Sequence, residues 1–338
     1  DVAAINERLD AVSSAHDEEL LRASLRKALQ PLGDLERLTN RVAGGTATPR
    51  DLGAIRNTLR ALPTLKEFLK PEPLSAIAQE IDPAPKALEL LQKTLVERPP
   101  ANTEKTGFIR PGCSAELDTV MSSSRNAREW ISALETLERD RTGIKSLKVG
   151  FNKVFGYYIE ISKASRAQVP DKYIRKQTLV NAERYITPEM KEYETLVLNA
   201  EEQMLAIERR IFAELCAQIS AHSRQMLHSA RALAQLDVFA ALAETAARLD
   251  YVRPEVSADA VLELRDARHP VVEQYLSNGE RFVPNDCRFE SGENIWIITG
   301  PNMSGKSTFL RQVALCVLLA QIGSFVPATA ARVGVVDR

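Results

Sequence analysis

Apolar residues recur at helical spacing along most of the chain. Ile5, Leu9 and Val12 fall on one face, as do Leu21, Leu25 and Leu29. The run TPRD (48–51) reads as a helix start, with Thr48 as N-cap, Pro49 at the first helical position and Asp51 closing the capping box. That helix is expected to run to Pro63. Pro71, Pro73, Pro83, Pro85, Pro99 and Pro100 punctuate further short helices, and a longer helix is predicted from Ser114 to Thr142-Gly143.

At Ile144 the period changes. The segment IKSLKVGFNKVFGYYIEI (144–161) alternates and is rich in aromatic and β-branched residues, with Gly150 and Gly156 read as breaks. It predicts a β hairpin, with more strand before Thr187. Helix restarts at Thr187, with Pro188 at its first position. From Glu189 to Arg253 there is neither Gly nor Pro. The polar run SAHSR (220–224) predicts that this stretch divides into two helices. A helix thus goes out, a small β unit follows, and helix returns: a β tip on an antiparallel helical arm.

At 338 residues the chain has room for two or three domains, and 44% hydrophobic with 26% charged residues is globular composition. Net charge is −1, unevenly spread. Residues 141–187 hold ten basic residues and three acids, a block of +7 against −8 elsewhere. Basic charge interleaved with aromatics at the end of an arm points to a polyanion. The four cysteines form no C-x-x-C pair and the four histidines no metal spacing, so reduced thiols and no zinc site are expected. With no apolar run of membrane-spanning length and no signal peptide, a cytoplasmic protein without a membrane partner is expected. Both ends read as cut, the first lying within a helical pattern and lacking Met.

The richest chemistry lies late in the chain. NIWIIT (294–299) predicts a short buried strand, and STFLRQVALCVLLAQI (307–322), stopped at Gly323, predicts a helix. Between them TGPNMSGKST (299–308) fits G-x-x-x-x-G-K-[ST] through Gly300, Gly305, Lys306 and Ser307. In such a loop backbone N–H groups at a helix N-terminus face phosphates, the lysine reaches the β- and γ-phosphates, and the serine holds Mg²⁺. ATP and Mg²⁺ are therefore the expected cofactors. Hydrolysis also needs a second metal carboxylate and a positioned water. VGVVD (333–337) offers Asp337, for which a plain strand or turn acid is the competing reading. No catalytic residue is assigned, and this chain alone is not expected to turn over ATP.

These stretches resemble the MutS family of DNA mismatch repair ATPases. The resemblance is carried by TGPNMSGKST (299–308), by RHPVVE (268–273), and by GDLER (33–37) with TPRDL (48–52). LKVGFN (147–152) with GYYIE (156–160), and NAERY (181–185) with KEY (191–193), extend it over essentially the whole chain. It implies a multidomain fold, mainly α with α/β. Residues 1–127 would be helical core and lever, 128–187 a small antiparallel β clamp at the tip of the arm, 188–251 returning lever, and 252–338 the first part of an ABC-type P-loop ATPase domain.

The resemblance further implies that Gly300, Pro301, Asn302, Met303, Ser304, Gly305, Lys306, Ser307 and Thr308 surround the nucleotide, with Ser307 on the metal. Phe282 would stack on adenine, a core position being the alternative. Asn152, Asn181 and Arg184, which sit in the matching clamp motifs, would grip the DNA backbone, and the basic block read from charge adds Lys153, Lys172, Arg175 and Lys176 to that contact. Val180 stands where the family often has Lys, which removes one phosphate contact. FAE (212–214) fits the family's mismatch wedge but lies in a helical pattern, so it is read as a packed Phe and a solvated Glu. Implied partners are double-stranded DNA (mismatched, for the full-length protein), a second copy of that protein, and MutL. ATP binding would then move lever and clamp. The alternative is a DNA-binding module with a vestigial nucleotide site, which ATP binding would separate from the first reading. A clampless coiled-arm ATPase of chromosome maintenance fits less well, because of the β tip.

Overall fold

The computed structural model describes residues 1–152, 156–276, 281–289, 295–302 and 304–337, the side chain of Leu198 aside. In chain order the helices are α1 (Val2–Asp17), α2 (Glu19–Leu29), α3 (Leu35–Ala43), α4 (Pro49–Phe68), α5 (Leu74–Glu80), α6 (Pro85–Thr94) and α7 (Ala115–Thr142). Strands β1 (Lys148–Asn152), β2 (Gly156–Ser162), β3 (Ile174–Thr178) and β4 (Ala182–Ile186) follow. Next come α8 (Pro188–Ser220), α9 (Ser223–Leu249), β5 (Glu255–Ser257), β6 (Leu262–Ala267), β7 (Asn285–Arg288), α10 (Lys306–Gln321) and β8 (Ala330–Gly334). The protein is mainly helical with small, largely antiparallel sheets. It forms two compact units: Asp1–Asn40, Ala54–Pro85 and His222–Arg338 make one, Arg41–Gly53 and Lys86–Ala221 the other.

In the second unit α7 and α8 pack as an antiparallel pair. Glu116, early in α7, pairs with Arg210, late in α8, whereas Trp130 stacks on Tyr193, early in α8, at 3.9 Å between ring centres. Local signals set the ends of the arm. Ser114 caps α7 through its hydroxyl, and Gly143 ends it at φ 70°. Thr187 Oγ1 accepts from Met190 N–H at 3.1 Å, and Pro188 opens α8. At the tip lies an antiparallel sheet in the order β1-β2-β4-β3. Its inner face carries Ile159, Ile161 and Tyr185, which pack with Leu134, Ile144, Leu147 and Met190. Gly150 is not a break: it sits mid-strand opposite Tyr158. An added Cβ there would come 2.7 Å from the Tyr158 ring, so the strand needs glycine for that close approach.

In the first unit α9 presents an alanine-rich face, including Ala232, Ala240, Ala243 and Ala246, to α1, α2 and α5. Small residues let these helices approach closely. The sheet of this unit has the order β5-β8-β6-β7, with only β5 and β8 parallel. α10 packs on β6.

Two expectations fail. α4 continues through Pro63 to Phe68. Pro63 is exposed, while Leu62, Leu65 and Leu69 are fully or almost fully buried, so packing outweighs the lost backbone bond. The expected buried strand at 294–299 is also missing over its described part. Residues 295–299 pair with no strand among the described residues, and Ile295 and Ile297 are more than four-fifths exposed. An apolar strand is buried only where neighbouring strands take up its backbone groups, and the described residues offer it none. The division of 189–253 does occur, at Ala221-His222 between α8 and α9.

Candidate functional site

Two regions carry the predicted site residues, one in each unit. In the first unit a hollow of about 530 Å³ opens at the start of α10. Phe282, Thr299, Gly300, Pro301, Ser304, Gly305, Lys306 and Thr308 line it, together with Val283, Asn285, Ile298 and Phe309. Gly305 is the N-cap of α10 at φ 88° and has no side chain to cap the helix, so the first N–H groups of α10 receive no side-chain cap from it. A Cβ at Gly305 would meet nothing within 4 Å; the glycine serves its backbone angle.

Lys306 is turned onto its own loop. Its Nζ donates to the carbonyls of Gly300 at 2.6 Å and Pro301 at 2.5 Å, with Ser304 Oγ at 3.5 Å. The hollow is large enough for a nucleotide-sized ligand. A cation, a helix N-terminus and an aromatic ring on one cavity fit a ligand with phosphates at one end and a flat base at the other. Asn302 and Ser307 are exposed and do not line the hollow, and Met303 lies outside the described residues. Asp337 is exposed beyond β8 and is not part of the lining. Asn285 escaped the sequence reading, although ERFVPN (280–285) placed it three residues after Phe282.

At the tip of the second unit the strand register sorts the basic residues by face. Gln177 and Glu160 both lie opposite Arg184, on the outer face. Arg184 Nε donates to Glu160 Oε2 at 2.9 Å and its Nη1 to Gln177 Oε1 at 3.1 Å, and its guanidinium stands 4.2 Å from the Tyr158 ring centre. Asn152 and Lys148 share that face, opposite Gly156 and Glu160. Arg175 lies opposite Tyr185, on the inner face, and pairs with Glu183 at 3.5 Å. A β-bulge between Arg175 and Gln177 contains the exposed Lys176. Lys172 pairs with Glu189 at 3.3 Å, and Asn181 is exposed in the turn before β4. Lys153 lies outside the described residues. Arg175 and Arg184 therefore lie on opposite faces of the sheet. Lys148, Tyr158 and Gln177 join the outer face, as two-residue strand periodicity applied to the register would have shown.

A buried carboxylate holds the inner side. Glu183 accepts from the Tyr185 hydroxyl and has Arg166 at 3.7 Å and Arg175 at 3.5 Å. The Tyr185 hydrogen bond above all, helped by the two arginines, pulls its pKa below the ordinary value. Burial and the facing carboxylate push the Tyr185 phenol up to about 12.

One unit carries a helical arm with a basic β tip and the other a phosphate-loop signature at a helix start, and comparison with known proteins places this combination in a family. Residues 1–243 match the family model of MutS domain III and residues 296–338 that of MutS domain V. The chain belongs to the MutS family. It is 49% identical to the DNA mismatch repair protein MutS of Salinibacter ruber, over 100% of this chain and 38% of that protein. It is 47% identical to the protein of the same name from Acetivibrio thermocellus, over 99% of this chain and 39% of that protein. To that of Methanosarcina mazei it is 46% identical, again over 100% and 38%. The chain thus spans just under two-fifths of the length of the curated relatives it matches. No helix among the described residues is long and apolar enough to cross a membrane.

Proposed function

We propose that this chain is the lever, clamp and nucleotide-loop segment of a DNA mismatch repair ATPase acting in the cytoplasm. The loop at 299–308 takes ATP with Mg²⁺, and the outer face of the tip sheet holds duplex DNA by its backbone. The observation that carries the reading is the convergence of Phe282, Lys306 and the start of α10 on one hollow. Lys306 would leave the Gly300 and Pro301 carbonyls for the phosphates, Ser307 would hold Mg²⁺, and Phe282 would cover the base. Residues 1–127 and 188–251 serve as core and lever, 128–187 as clamp, and 252–338 as the first part of an ABC-type ATPase domain. In the whole protein the partners would be mismatched DNA, in keeping with the name shared by its relatives, and, as the family resemblance implies, a second copy and MutL.

The test is a titration with Mg²⁺ and ATP, followed by emission of Trp296, which stacks on Phe289 at 4.9 Å two residues before Ile298. Lys306→Ala is expected to weaken binding by about 2 kcal/mol, roughly thirtyfold, because a hydrogen bond to a charged group is lost. Unchanged affinity in Lys306→Ala would place the nucleotide elsewhere. No binding by the wild-type chain would favour a DNA-binding module with a vestigial nucleotide site.

A further inference from the structure

Residues 267 and 268 hold two helices at once. On one side Gln312, in the second turn of α10, donates from Nε2 to the Ala267 carbonyl at 3.0 Å and accepts from Asn285 Nδ2 at 3.4 Å. Gln312 is completely buried. On the other side Arg268 Nη2 donates to the carbonyls of Leu249 and Asp250, both at 2.9 Å. Those carbonyls end α9, where Asp250 is its left-handed C-cap at φ 51°. Arg268 is itself fixed in place. Its N–H donates to the Pro327 carbonyl at 2.7 Å, and its guanidinium pairs with Glu273 at 3.5 Å and lies 5.9 Å from the Tyr251 ring centre.

α10 is held along a narrow line. Its buried residues are Gln312, Cys316 and Ala320, one stripe at four-residue spacing, whereas Leu310 and Leu318 are more than half exposed. Gln312 comes first in that stripe, six residues past Lys306 and about 9 Å along the helix axis. A displacement of the first turn of α10 therefore reaches Gln312 before any other buried residue of the helix. The Lys306 ammonium now bonds loop carbonyls, and a bound phosphate would compete for it. Occupancy of the loop thus changes the contacts that fix that first turn. A buried amide with both ends bonded has few other arrangements, so it transmits displacement rather than absorbing it.

We propose that the path Gln312–Ala267–Arg268 couples the state of the 299–308 loop to the C-terminal end of α9, with Gln312 and Arg268 as positioning residues. The proposal rests on the nucleotide reading above.

Hydrogen–deuterium exchange of the whole chain, with and without Mg²⁺ and adenylyl-imidodiphosphate, tests it. The wild type is expected to show slowed exchange in the loop and a nucleotide-dependent change of about fivefold or more at residues 246–252, the scale of ordinary coupling between sites. Arg268→Ala and Gln312→Met should each keep the loop response and lower the second response to less than about twofold. Arg268→Lys, which keeps a donor near the two carbonyls, should recover part of it. A merely structural role would raise exchange at 246–252 in both states and leave the nucleotide-dependent difference intact. That result overturns the proposal, as does a wild-type loop response with nothing at 246–252. No loop response in the wild type would sink the nucleotide reading, and the coupling with it. If Arg268→Ala does not fold, Gln312→Met and the wild type decide the matter.

Discussion

Gly323 ends α10 with φ +85°, and helix α1 passes directly over it. A Cβ at this position would lie 2.4 Å from Arg8 Cβ, with Cδ at 3.2 Å and Cγ at 3.4 Å. The nearest atom is fixed to the α1 backbone and cannot swing away as a side-chain tip could. Gly323→Ala therefore meets two costs. The left-handed backbone costs an alanine about 1–2 kcal/mol, and overpacking against a helix typically adds about 1–3 kcal/mol. Gly305→Ala is the internal control, since Gly305 has φ +88° and open space at its Cβ. It should show only the first cost. Urea unfolding of each variant, in a Trp130→Phe background so that Trp296 reports this unit, should place Gly323→Ala about 1–3 kcal/mol below Gly305→Ala. Adding Arg8→Gly should recover most of that gap. Arg8→Ala should not, because it keeps the Cβ. Equal losses in the two glycine variants, within about 0.5 kcal/mol, would refute the close approach of α1.

Other consequences are as direct. Glu183 has a lowered folded pKa, so its contribution to stability is present above the ordinary value of 4.5 and is lost as pH falls through the folded value. Thermal melts of the tip should weaken below about pH 4.5, and less so in Tyr185→Phe, which removes the largest cause of the shift; an unchanged acid profile in Tyr185→Phe would count against it. Glu208 is buried in α8 and accepts from Gly107 N–H at 2.8 and 3.0 Å and from Ile109 N–H at 3.3 Å. Glu208→Ala leaves two backbone donors unmatched and should cost about 2 kcal/mol or more in urea unfolding, with faster proteolysis of residues 98–112; a loss below about 0.5 kcal/mol would contradict the role assigned to it. DNA affinity should fall with salt at a slope set by the lysines of the tip more than by its arginines.

What the sequence made legible was local. Thr48 with Asp51, Ser114, and Thr187 with Pro188 all mark helix starts that the structure contains, because a cap involves only three or four neighbouring residues. Gly143 and Gly323 stop helices for the same reason. The switch of period at Ile144 showed the β tip, because side-chain alternation is a property of the strand itself. Features that depended on distant partners were not legible. Pro63 reads as a stop, yet the buried leucines around it carry α4 onward. The apolar run at 295–298 reads as a strand, but pairing is a property of its neighbours. For the candidate site, the spacing of Gly300, Gly305 and Lys306 located the loop. It could not show the lysine bonded to its own loop carbonyls, or Gln312 and Arg268 behind it. The separation of Arg175 from Arg184 depends on register and on a bulge, which no composition count contains.

That separation changes how the +7 block acts. Of its ten basic residues, Arg141, Arg166, Lys172, Arg175 and Arg184 already face carboxylates. Lys153 lies outside the described residues, which leaves Lys145, Lys148, Lys163 and Lys176 exposed with no acidic partner among the described residues. An arginine that leaves Glu183 for a phosphate strands a carboxylate only 3% exposed, and an unpaired buried charge is costly. The four lysines are free of that cost. If they make the phosphate contacts, the slope of log K against log salt is about −4; if all nine described cations do, it is about −8. Glu183→Gln distinguishes the two cases again. It releases Arg166 and Arg175 and should steepen the slope by about 1–2 where the carboxylate was holding them back. A slope near −8 in the wild type, unaffected by Glu183→Gln, would mean that the ion pairs of the tip yield to DNA without resistance, and that simple charge counting was the better guide.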